Sequence, residues 1–416
     1  MMINNNVLEI SSCEVCGNKE VESVLDLGYH PMCDDLIGIN DNRICTEYPI
    51  EILFCKKCNT AHQRFQVPKE NLFPATYHYR SRFTADVLNG MKGLVDSCAQ
   101  RFGSLSGKKV LDIGCNDGSL LDFFREQGAL TIGVEPTGAY LDAEAKGHTT
   151  FNSFLSENLA AAIVDEHGKP DFVTFTNVFA HIEDLQEVLR SLRILISENT
   201  VIIIENHYLG SVLDGYQFDT FYHEHPRTYS YGSFVQMAGT LGMQLAGVEF
   251  PSRYGGNIRV FLGNYLHAKY TGTVDLSALA LRESNFFDDF FALRKNIGSW
   301  LIVKHKFLQA HFNKYGKLRA KAFPGRAAIL VKLLGLDENL ISAVYEQPGS
   351  LKVGHYLPGT RIPICSDDDL FALPDQTLPL LNLAWHIPKE IRHYLTENKY
   401  EGKVIDILSA EDFATK

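Results

Sequence analysis

The sequence predicts an α/β protein whose centre is a doubly wound, Rossmann-like parallel sheet, and three observations predict it. The apolar run from Val110 to Ile113 enters a glycine turn, Gly114 to Gly118, and apolar residues at helical spacing start at Leu120. Strand, glycine turn and helix in that order make the ligand-binding unit of such sheets. A second run, Ala129 to Val134, ends in Glu135, a carboxylate placed to accept both hydroxyls of a ribose. Ahead of these stand two Cys-x-x-Cys pairs, Cys13/Cys16 and Cys55/Cys58, which mark a separate small domain.

Length sets the frame for the elements. At 416 residues the chain exceeds one ordinary core and divides into two or three domains. A hydrophobic content of 45% with 21% charged residues describes a globular protein, and a net charge of −11 argues against general binding to nucleic acid or to a membrane surface. No apolar run approaches the roughly 20 residues of a membrane helix, and the first residues lack a basic segment followed by an apolar one. The expectation is a cytoplasmic protein.

Residues 1–75 read as a zinc-binding β domain. Six of the nine cysteines precede residue 60. Each Cys-x-x-Cys is a tight turn that aims two sulfurs at one point, so the two together offer four thiolates for a tetrahedral, structural zinc. A disulfide pairing is the alternative, disfavoured in a reducing compartment. Cys33 and Cys45 read as ordinary thiols, while His30 and His62 leave a mixed ligand set open. The gap between the pairs holds a strand-like segment from Tyr48 to Phe54. The aromatic stretch that follows, with Tyr77 and Tyr79, has no clean period, and a helix is expected from about Arg82 to Phe102.

Residues 76–265 form the central sheet domain. Its glycines do not fit the dinucleotide pattern G-x-G-x-x-G, because they stand at 114 and 118 with Asn116 between them. That spacing resembles the S-adenosylmethionine (SAM) loop of class I methyltransferases, in which Asp112, Gly114, Asn116 and Gly118 would shape the turn. Glu135 suits SAM and NAD alike. His148 to Asn152 and Asp171 to Thr176 read as the third and fourth strands, and Thr200 to Glu205 as a fifth, apolar on both faces. Asn177 and His181 follow the fourth strand, at a carboxyl end where ligands bind.

The densest chemistry lies between Asp219 and Tyr229, where Tyr222, His223, Glu224 and His225 stand together. An imidazole beside a carboxylate is the composition of a general base, and a phenol can stabilise an oxyanion. A metal pair and a purely structural cluster are the alternatives. Downstream, Gly255 and Gly256 make a turn into a strand that carries Asn257 and Arg259.

Residues 266–416 open with a helical segment to about Gly316, rich in Phe, Leu and Lys, and continue with strands near Asn339 to Tyr345 and Thr377 to His386. Taken with the late run Lys352 to Pro363, the two cysteine pairs, the turn at Asp112 to Gly118, the Tyr222 to His225 run and Gly255 to Arg259, the chain resembles the SAM-dependent sugar C-methyltransferases that act at C-3 of nucleotide-linked 4-keto-deoxysugars. The resemblance keeps its order over nearly the whole chain. It implies a class I SAM-dependent core, a zinc-binding N-terminal domain and a C-terminal Rossmann-like α/β domain that holds a TDP- or GDP-linked sugar. It further implies His225 as base, with Glu224, Tyr222, His181 and Tyr79 around the reacting carbon, and Tyr77, Asn257, Arg259 and Lys352 toward the substrate. One departure stands out: Leu318 to Ala327 has Pro324 and a single glycine where the family has a small-residue turn, which removes a backbone donor.

Overall fold

A computed structural model of the chain describes residues 7–72, 80–83, 85–264 and 273–413. Its centre is a seven-stranded sheet. Numbered along the chain, the strands are Lys109–Ile113, Leu130–Val134, Thr149–Phe151, Phe172–Thr176, Val201–His207, Met243–Glu249 and Asn257–Asn264, arranged 3-2-1-4-5-7-6. The first five run parallel, and Asn257–Asn264 lies antiparallel between Val201–His207 and Met243–Glu249. Strand order reverses between Lys109–Ile113 and Phe172–Thr176, so a crevice opens above the carboxyl ends Ile113 and Thr176.

The local sequence explains the turn at that crevice. Gly114 has φ +73°, and a Cβ there would stand 2.5 Å from Val178 Cγ2, so the position needs glycine for both backbone and space. Gly118, at φ +74°, precedes the helix Ser119–Glu126. That helix buries Leu120, Leu121 and Phe124 against the sheet, each contributing about 1.5–3 kcal/mol by removal from water.

The N-terminal segment forms a four-stranded antiparallel sheet in the order Arg227–Thr228, Thr60–Gln63, Glu47–Cys55, Glu22–Pro31. Its first member belongs to the central part of the chain: Arg227 pairs with His62 and Thr228 with Ala61. The C-terminal part is a five-stranded parallel sheet, ordered Ile364–Ser366, Ile341–Glu346, Leu318–Lys321, Leu380–Asn382, Val404–Asp406. This is a second open α/β sheet, whose order reverses at Leu318–Lys321. The expected helical connector is two helices, Leu276–Glu283 and Phe286–Tyr315. A short antiparallel pairing of His355–Tyr356 with Ile37–Gly38 joins the C-terminal and N-terminal parts directly.

One hydrophobic core runs from the cysteine pairs across one face of the central sheet to the helix Ala327–Leu333, and a second covers the opposite face with Leu94, Leu120, Phe124 and Phe261. The three parts are therefore packed into one body around the crevice. Among the described residues no helix is long and apolar enough to cross a membrane.

Candidate active site

A cleft of about 1260 Å³ lies where the three parts meet, lined from the central sheet, the Cys33–Leu36 segment and the loops after three strands of the C-terminal sheet. One end gathers four of the residues expected at the cofactor. Gly114, Asn116, Glu135 and Asn177 all line it, together with the apolar Ile113, Val178 and Phe154. Glu135 is 5% exposed. Its Oε2 accepts from the amide of Asn116 at 3.0 Å, and its Oε1 accepts from the amide and hydroxyl of Thr137 at 2.9 and 2.6 Å. A carboxylate has about four lone-pair positions, so this one is held rigidly with acceptor capacity left for a ribose. Asn116 (φ 50°) and Asn177 (φ 54°) bend the loops into the left-handed region that asparagine tolerates.

The other two residues expected at the cofactor do not reach the cleft. Asp112 is buried beneath it and accepts from Thr174 Oγ1 at 2.6 Å. Burial pushes its carboxyl up to about 7, with the Thr174 bond opposing and the Glu135 charge adding to the rise. Gly118 faces His148 and Ala143, where a Cβ would meet atoms at 2.8 and 3.0 Å. Both shape the turn from below.

At the other end stands a cluster of histidines. The carbonyl of Thr220 can only accept, so His225 Nδ1, 3.1 Å away, carries the ring proton and Nε2 presents the lone pair. The hydroxyl of Tyr222 donates to that Nε2 at 3.0 Å. His181 donates from Nδ1 to the carbonyl of Glu224 at 2.7 Å, and its ring lies 4.7 Å from that of His225. His207, at the end of the fifth strand, meets the His225 ring edge-on with 5.4 Å between centroids. Burial, then the neighbouring His181 and His207, hold the His225 imidazole well below its ordinary range, so it is neutral at pH 7. Glu224 goes the other way: burial, with Asp34 adding and Lys352 opposing, raises its carboxyl well above the usual range. A protonated Glu224 offers an O–H donor in place of a charge. His223, by contrast, faces away and bonds to the carbonyl of Tyr48 at 3.1 Å.

Of the five residues expected toward the substrate or beside the reacting carbon that remain, two are corrected, two lie beyond the described residues and one reaches the cleft. Asn257 and Arg259 do not face the cleft. They pair with the buried Glu205, Asn257 Nδ2 at 3.0 Å and Arg259 Nε at 2.7 Å, and Arg259 also bridges to Glu249 at 2.9 Å. In the sheet register Arg259 stands opposite Glu205, which neutralises it. Tyr77 and Tyr79 lie outside the described residues. Lys352 does line the cleft, with Nζ donating to the carbonyl of Phe323 at 2.7 Å.

The structure adds residues that sequence reasoning missed. Arg326 and His386 line the cleft from the C-terminal sheet, Arg326 grips Asp219 with two hydrogen bonds at 2.8 and 2.7 Å, and Trp385 donates to the same carboxylate at 2.8 Å. His207 was within reach of sequence reasoning, since it stands two residues past the predicted strand Thr200 to Glu205, on its ligand-binding edge.

The sulfurs of Cys13, Cys16, Cys55 and Cys58 all lie within 4.8 Å of one another, with Cys13–Cys58 at 3.4 Å and Cys16–Cys55 at 3.6 Å. A zinc–sulfur bond of about 2.3 Å gives a tetrahedral edge of about 3.8 Å, so the four thiols fit that ion. The alternatives drop out: no disulfide links the described cysteines, His30 bonds to the carbonyl of Leu27, and His62 faces Glu14. This centre lies outside the cleft and acts through position. Gln63 donates to the carbonyl of Tyr222 at 3.3 Å, and buried Arg227, bridged to Glu14 at 2.8 Å, donates to the carbonyl of Ile182.

Comparison with known proteins matches three family models in order along the chain: a zinc binding domain over residues 13–73, a methyltransferase domain over 83–246 and a C-methyltransferase C-terminal domain over 252–407. The C-methyltransferase NovU of Streptomyces niveus is 27% identical over 391 residues, covering 92% of each chain. A ubiquinone biosynthesis O-methyltransferase of Escherichia fergusonii is 36% identical over 98 residues, 22% of this chain and 40% of its own. Among solved structures, the magnesium protoporphyrin IX methyltransferase of Synechocystis PCC 6803 covers 43% of this chain and 80% of its own at 17% identity, with a TM-score of 0.33.

Proposed function

We propose that this SAM-dependent methyltransferase, which matches zinc-binding, methyltransferase and C-methyltransferase C-terminal domain models in order along the chain, methylates C-3 of a nucleotide-linked 4-keto-deoxysugar through an enolate formed by His225. The observation that carries this reading is the tautomer of His225: a neutral imidazole whose Nδ1 proton is tied to Thr220 and whose Nε2 lone pair faces the cleft beside Tyr222.

When bound in the cradle around Glu135, SAM supplies an electrophilic methyl group. The chain's own residues do the rest. A hydrogen on carbon next to a ketone is acidic enough for an imidazole once the oxyanion is stabilised. His225 Nε2 takes the proton from C-3. Its Nδ1–H bond to Thr220 keeps the ring oriented while charge develops. Tyr222, released from Nε2, and protonated Glu224 supply hydrogen bonds to the enolate oxygen. His181 fixes the backbone of Glu224 and closes one side of the base. General-base action of this kind contributes about 10²–10⁴-fold, and holding the carbanion against the methyl supplies much of the remainder.

For the nucleotide, support comes from the second α/β sheet, whose loops after Leu318–Lys321 and Ile341–Glu346 line the same cleft. Lys352 uses one of its three donors on Phe323. The others serve the diphosphate of a TDP- or GDP-linked sugar. The test is product analysis: incubation with SAM and a 4-keto-6-deoxy nucleotide sugar is expected to add one methyl on carbon, while the 4-hydroxy analogue stays unmodified. A methyl on oxygen, or equal methylation of the 4-hydroxy sugar, overturns the proposal.

A further inference from the structure

The residue that ties the C-terminal domain to the catalytic loop is Arg326. It stands in the turn between Leu318–Lys321 and the helix Ala327–Leu333, on the edge of the cleft. Its guanidinium holds Asp219 as a two-bond fork, Nε to Oδ2 at 2.8 Å and a terminal nitrogen to Oδ1 at 2.7 Å, with a longer contact to Gln217 at 3.4 Å. Trp385, in the loop after Leu380–Asn382, donates its indole N–H to the same Oδ2 at 2.8 Å, and the guanidinium lies over its ring at 5.4 Å. Asp219 is fully buried and Arg326 is 8% exposed. The two arms of this grip come from the loops on either side of the point where the C-terminal strand order reverses. That is the position at which an open α/β sheet receives its ligand.

Asp219 belongs to the short turn Phe218–Thr220. The next residue, Thr220, provides the carbonyl that accepts from His225 Nδ1. One peptide unit therefore separates the gripped carboxylate from the atom that orients the base. We infer that Arg326, with Asp219 and Trp385, is a positioning device that sets the catalytic loop from the nucleotide-side domain, so that His225 is aligned only when the C-terminal turn is in place. A fork of charge-assisted bonds suits this task because it fixes angle as well as distance, which a lysine point charge does not. The turn with Pro324 and a single glycine aims Arg326 at the neighbouring domain.

This inference rests on His225 as the base, and its test separates the two ideas. Arg326→Gln and Asp219→Asn are compared with wild type for kcat, KM and SAM affinity, with zinc content and thermal unfolding as checks of folding. The expected result is a fall in kcat of tenfold or more in each, KM within about threefold, and a double variant no worse than the poorer single one. Arg326→Lys is expected to recover part of kcat. Folded variants with unchanged kcat, or with changes only in KM and thermal stability, overturn it. Should Arg326→Gln fail to fold, Trp385→Phe removes a single bond and keeps the ring: a several-fold loss of kcat supports the latch, and an unchanged kcat contradicts it. If wild type methylates no keto-sugar, the substrate proposal is what has failed. The latch is then read by NMR of protein labelled with ¹⁵N at histidine and tryptophan. In Asp219→Asn the Trp385 indole signal and the His225 ring signals are expected to move together, and a Trp385 shift with unmoved His225 signals overturns the coupling.

Discussion

Glu135 shows how much one side chain does before any ligand arrives. Its carboxylate ties the turn at Asn116 to the turn at Thr137, the two loops that frame the cofactor end of the cleft. If it holds the ribose as proposed, Glu135→Ala is expected to weaken SAM binding by about 1–3 kcal/mol, read by calorimetry. Unchanged affinity would place the ribose elsewhere. At this scale the sequence was legible where chemistry and neighbours coincide along the chain, as in the run Tyr222 to His225. It misled at Arg259. The resemblance turns this arginine toward the substrate, but its partner is Glu205, some 50 residues earlier, and only the antiparallel register brings the two opposite each other. Arg326 and Asp219 are further apart still and carry no local pattern that joins them.

Among the elements, the strands Lys109–Ile113, Phe172–Thr176 and Val201–His207 were readable because each carries a short apolar run. The strand Glu22–Pro31 was not. Register shifts between Ser23 and Leu25 and between Asp26 and Gly28 break its period-two alternation, so its apolar residues do not fall on one face in sequence. Nor does any pattern reveal that Arg227–Thr228, two residues after His225, is the edge strand of the N-terminal sheet. That pairing gives the zinc site a consequence. The metal centre orders Thr60–Gln63, and Thr60–Gln63 carries the segment that follows His225. Stripping zinc with a strong chelator is expected to release about one ion per chain and to abolish methyl transfer, with loss of protection from proteolysis near residue 60. Full activity in metal-free protein would contradict the link.

Across the whole molecule, the buried histidines set a pH limit on folding. His223 is held down to about 4 by burial, with the Tyr48 bond opposing, and His181 and His225 move in the same direction for the same first cause. An unfolded chain protonates these rings near pH 6.5, while the folded one does not until the pH is lower. Between those limits the unfolded state binds more protons, so stability falls as pH drops, by about 1.4 kcal/mol per pH unit for each such ring. Glu224 and Asp112, raised by burial, oppose this over part of the window. His207 and His386, lowered to about 3 and about 4, add to the histidine side. The urea midpoint is therefore expected to be lower at pH 5 than at pH 7, and His223→Asn should flatten the difference. An equal midpoint at both values would contradict the buried, neutral state of these rings.

The three-part architecture was legible because its markers are local: paired cysteines, a glycine turn with an acid after the next strand, and a second set of strands beyond a helical connector. The meeting of the parts was not, since the cleft is built by contacts among segments far apart in the chain. The central claim concerns what His225 does in that cleft. It is tested most directly by mass spectrometry of a 4-keto-6-deoxy nucleotide sugar incubated in D₂O with the protein and the SAM analogue sinefungin. Wild type is expected to catalyse uptake of deuterium at C-3 without methyl transfer, and His225→Asn to lose that exchange by at least about a hundredfold while still binding the analogue. Exchange that persists in His225→Asn would assign the proton to another residue.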